Sequence, residues 1–150
     1  MAIIPTLNGF LAFVRNNAGI PVSAIADDDP MIQASYDQAN ELLNVGMGFE
    51  LVPIIFVNTV YSAGVSMLLN YANDTAPSTW FADMRKSLGI GKQLLGVLTG
   101  AADNGTSGNM VVSNAITNLS LMDLTMMQDP FGRQVIAALM ELGPIWGYTP

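Results

Sequence analysis

The sequence predicts a mainly α fold: a small helical bundle around one central apolar helix, with a β-hairpin before the C-terminal helix. Three observations carry this expectation. The stretch Leu51 to Ala72, LVPIIFVNTVYSAGVSMLLNYA, holds no charged residue and as a helix would run roughly 33 Å. On either side of it, apolar residues recur at spacings of three and four between proline and glycine stops, the period of amphipathic helices. Between residues 109 and 127 the pattern changes to Val, Ile, Leu and Met mixed with Ser, Thr and Asn, a composition that suits paired strands.

The central stretch has two readings. Pro53 fits the first turn of a helix, where its missing N–H costs nothing. Val57, Val60, Tyr61, Gly64, Met67, Leu68 and Tyr71 then form a stripe that Ile55, Phe56 and Val65 widen to most of the circumference, and such a helix must be surrounded by protein or by lipid. Its length also matches a bilayer core. Against a membrane span stand the interruptions at Asn58, Thr59, Ser62, Ser66 and Asn70, and the lack of flanking cations, since the nearest are Arg15 and Arg85. The core helix is therefore the leading expectation, and one span over 51–72, as in a small lysis-type membrane factor, is the alternative. Gly64, between Ser62 and Ser66, should admit a neighbouring helix closely.

Composition supports burial against other chains. The 150 residues fit one domain, 1–150, with a flexible loop at 100–109 and a C-terminal arm at 143–150. Hydrophobic residues make up 51% and charged residues 11%, where about 25% charged is usual, so permanent subunit contact is expected. The net charge is −7 and the cations are dispersed at Arg15, Arg85, Lys86, Lys92 and Arg133, which argues against binding nucleic acid phosphates. Cysteine and histidine are both lacking, which removes disulfides, thiolate metal sites, most zinc sets and the usual general base. The start, MAIIPTLNGFLAFVRN, lacks a basic residue before its apolar run, so no signal peptide is expected. The sequons at Asn73, Asn104 and Asn118 are then chance matches, and an intracellular or virion setting fits.

In chain order, Thr6 should cap a short helix with Leu7, Phe10, Leu11 and Val14 on one face, ended by Gly19 and Pro21. Asp27, Asp28 and Asp29 before Pro30 start a second helix, Met31 to Asn44. In it Ile32, Tyr36, Ala39 and Leu43 face inward and Gln33, Asp37 and Glu41 face water. After the central helix, Ser78 or Thr79 should cap a helix bearing Trp80, Phe81, Met84 and Leu88, interrupted at Gly89 and Gly91 before a helical pattern resumes over Gln93 to Leu98. Residues 100–108, GAADNGTSG, read as a mobile surface loop. The hairpin should pair Val111–Ile116 with Leu119–Leu124. Asp129 and Pro130 open a last helix carrying Phe131, Val135, Ala138, Leu139 and Leu142, ended by Gly143 and Pro144. The tail aromatics are either folded back on the core or inserted into a partner.

Catalytic motifs are weak. Consecutive aspartates cannot all face one metal ion, and capping already accounts for them. LGIGKQ fails as a phosphate loop, because Lys86 stands where the first glycine is needed and Gln93 where Ser or Thr is needed. An enzyme would need carboxylate chemistry from Asp27, Asp28, Asp29, Asp37 or Glu41, which lie on a cap and a wet face with no partner acid or base. Neither an enzyme nor a cofactor is expected.

The order of elements is distinctive: a short helix, an acidic turn, two long helices, a variable loop, a hairpin, and a last helix opening with PFGRQ. It resembles the tailed-phage head-to-tail connector family, adaptor or head-completion proteins that form a ring beneath the portal. The matching residues are Phe10 to Val14, Asp29 to Leu43, Val52 to Tyr71, the Ser-containing Val111 to Leu124, and Pro130, Phe131, Gly132 and Gln134. The helix over Thr79 to Leu98 and the 100–108 loop depart from that pattern. The resemblance implies a dodecameric ring in the virion neck, assembled in the host cytoplasm, that joins the portal protein to the next neck or tail protein and lines the channel through which DNA passes unbound. The negative charge suits such a channel. The expected partner-binding residues are Asn104 and Asn109 on the loop and Ile145, Trp146 and Tyr148 on the tail.

Overall fold

The computed structural model describes residues 4–43, 52–91, 97–98, 110–111 and 125–146. Among these, five helices dominate: α1 (Leu7–Asn16), α2 (Pro30–Leu42), α3 (Pro53–Tyr71), α4 (Trp80–Leu88) and α5 (Pro130–Trp146). Helix α3 is the hub. It is buried from Phe56 to Leu69 except at Asn58, with α2 and α5 packed most extensively along it. The expected mainly α bundle around a central apolar helix is therefore what forms.

The first two helices begin as their sequences dictate. The Thr6 hydroxyl accepts the Gly9 N–H at 3.0 Å and the Asp29 carboxylate accepts that of Met31 at 2.8 Å, each satisfying a donor that has no partner within its helix. Phe10 and Val14 are wholly buried. Phe10 lies against Gly64, where a Cβ would come within 2.6 Å of the ring, so the expected close approach at Gly64 is made by α1. Tyr61 ties the start of α1 to the hub: its hydroxyl accepts the Thr6 N–H at 3.0 Å and donates to the Thr6 carbonyl at 3.2 Å. Arg15 then gathers the connector to α2, donating to the carbonyls of Ile20 and Ile25 at 2.8 and 2.7 Å and to the Asp27 carboxylate.

Helix α4 starts with the expected Ser78 contact and a second device that was not expected. Thr79 stands at the cap position without capping, and its hydroxyl donates to Asp83 instead. The Ser78 hydroxyl accepts the Trp80 N–H at 3.4 Å. The Asp74 carboxylate accepts the N–H groups of Phe81 and Ala82, both at 2.8 Å. A carboxylate has two oxygens and a charge that the helix dipole favours, which a hydroxyl lacks. Arg85 seats α4 on the hub by donating to the Leu69 and Ala72 carbonyls at 3.1 and 2.8 Å, groups left open where α3 ends.

Three further expectations are corrected. Val97–Leu98, read as helical, form a two-residue strand β1 antiparallel to β2 (Met110–Val111), with Val97 opposite Val111. The expected hairpin gains no support: Val111 pairs back to Val97, and residues 112–124 lie outside the described residues. Helix α5 does not stop at Gly143 and Pro144 but continues to Trp146. Gly143 has no Cβ to clash with the proline ring, and a proline so near the helix end gives up one hydrogen bond. The C-terminal arm therefore begins as helix.

Candidate assembly surface

The seam between α3 and α5 is polar along much of its length. Asp129, fully buried, accepts the Gly132 N–H at 2.8 Å, as the expected cap should. Its other oxygen accepts from the Ser66 hydroxyl at 2.6 Å and the Asn70 amide at 3.0 Å. One carboxylate thus starts α5 and anchors it to the hub. The helices run antiparallel, since Ser66 and Asn70 meet Asp129 while Ser62 lies 3.5 Å from Gln134. Gly132 is required at this corner, because a Cβ there would fall 2.0 Å from the Met126 carbonyl.

Towards the N-terminal end of α3 the seam opens into a groove of about 150 Å³ lined by Ile55, Asn58, Thr59, Ser62 and Gln134. Thr59 donates to the Ile55 carbonyl at 2.7 Å. In the lining Ile55 is 46% exposed, and its chain neighbour Ile54 is 61% exposed; Met140 on α5 is 77% exposed. Leu42, at the end of α2, is exposed as well. The groove carries amides, hydroxyls and aliphatic carbon, with no ionisable lining group among the described residues.

The carboxylates considered for chemistry do not converge on it. Asp27 pairs with Arg15, Asp29 caps α2, Asp37 accepts from Gln33 at 2.7 Å, and Asp28 and Glu41 are exposed. No group of three His, Cys, Asp or Glu able to hold a metal ion occurs among the described residues. Tyr36, stacked near Phe10, has its phenol raised above 10.0, first by burial, then by Tyr61 and Asp37.

Of the residues expected to bind partners, Asn104, Asn109 and Tyr148 lie outside the described residues, and Ile145 and Trp146 sit in the last turn of α5. The groove and its isoleucines were not foreseen, because α3 read as apolar nearly all round. A signal was present: Asn58 falls off the stripe that starts at Val57 and interrupts the apolar run. Comparison with known protein families, curated proteins and solved structures found no match for this chain.

Proposed function

We propose that this protein is a structural subunit that works as a permanent homo-oligomer: a ring component of the head-to-tail connector of a tailed phage virion, joining portal to tail around the DNA channel. The observation that carries the oligomeric part is the row of bare aliphatic side chains at the N-terminal end of α3, on a chain with 51% hydrophobic and 11% charged residues. A neutral, partly apolar surface favours contact with protein over solvent. The connector part rests on the resemblance in the order of the helices, from the acidic turn before α2 to the PFGRQ start of α5. The dodecameric state, the portal and neck partners and the virion location follow from that resemblance alone.

The membrane alternative rests on α3. Its mean hydropathy of 1.3 and 19 residues satisfy the length and composition of a span, yet 72% of its apolar window is buried inside the protein. Burial of that kind favours the core-helix reading. Light scattering of the purified chain in detergent-free buffer, with negative-stain imaging of the same fractions, tests the proposal. A soluble assembly with a central hole is the expected result; recovery only in a membrane pellet would overturn it.

A further inference from the structure

We draw no further inference here: the strongest candidate, the groove between α3 and α5 at the N-terminal end of α3, carries none because nothing in the structure shows what covers it.

Discussion

Replacing Asp129 with alanine should be among the most damaging single changes in this protein that leave its apolar core untouched. The side chain is fully buried and accepts three hydrogen bonds, from the Gly132 N–H, the Ser66 hydroxyl and the Asn70 amide. Losing the cap alone costs about 1 kcal/mol. Stranding a buried donor costs about 1 to 3 kcal/mol, although Asn70 keeps its 2.8 Å bond to the Ser66 carbonyl and the Ser66 hydroxyl can rotate to another acceptor. Together these give a loss of about 3 kcal/mol, or a fall in Tm on the order of 6–12 °C for a chain of this size. Urea unfolding followed by far-UV circular dichroism should show a lower midpoint with an unchanged slope, since the surface exposed on unfolding is the same. Asp129→Asn keeps one acceptor for the cap but aims an NH₂ group at two donors, so it should fall between wild type and alanine. A loss below about 1 kcal/mol for the alanine variant would refute the view that this carboxylate anchors α5 to the hub.

Two other predictions concern the opposite side of the hub. Gly64→Ala puts a methyl group 2.6 Å from the Phe10 ring, which is itself packed between Tyr36 and Tyr61; overpacking of about 1–3 kcal/mol should exceed the roughly 1 kcal/mol gained in helix propensity, and a net fall in Tm checks it. Tyr36 gives the fold an alkaline limit. Burial raises its phenol above 10.0, so the folded state holds that proton more tightly than the unfolded state does, and the stability linked to it is present below pH 10 and lost as pH rises through the folded value. Unfolding free energy measured across that window should fall less steeply in Tyr36→Phe than in wild type.

Local chemistry was legible from the residues themselves. The caps at Thr6, Asp29 and Asp129, the proline starts of α2, α3 and α5, and the inward faces of α1 and α2 depend on neighbours within one or two turns, where residue type and spacing carry the physics. Residue spacing does not report a contact that comes from elsewhere in the chain. Asp74 joins Ser78 at the start of α4 because the chain folds back to bring a carboxylate to the next two N–H groups. Val97–Leu98 pair as a strand because Met110–Val111 lie beside them, which no window of helical spacing reports.

What the residues alone determined is that this chain is helical, poor in charge, and built around an apolar stretch that cannot face water. Tertiary structure decided how that stretch is covered. Phe10 fills the space beside Gly64, Ser66 and Asn70 turn to Asp129, and Ile54, Ile55 and Asn58 remain bare because the helices that enclose α3 leave a groove at its N-terminal end. An amphipathic pattern states how much surface each helix must bury, but it does not state which helix buries it, since apolar attraction has no direction and only packing geometry and paired polar groups select the partner.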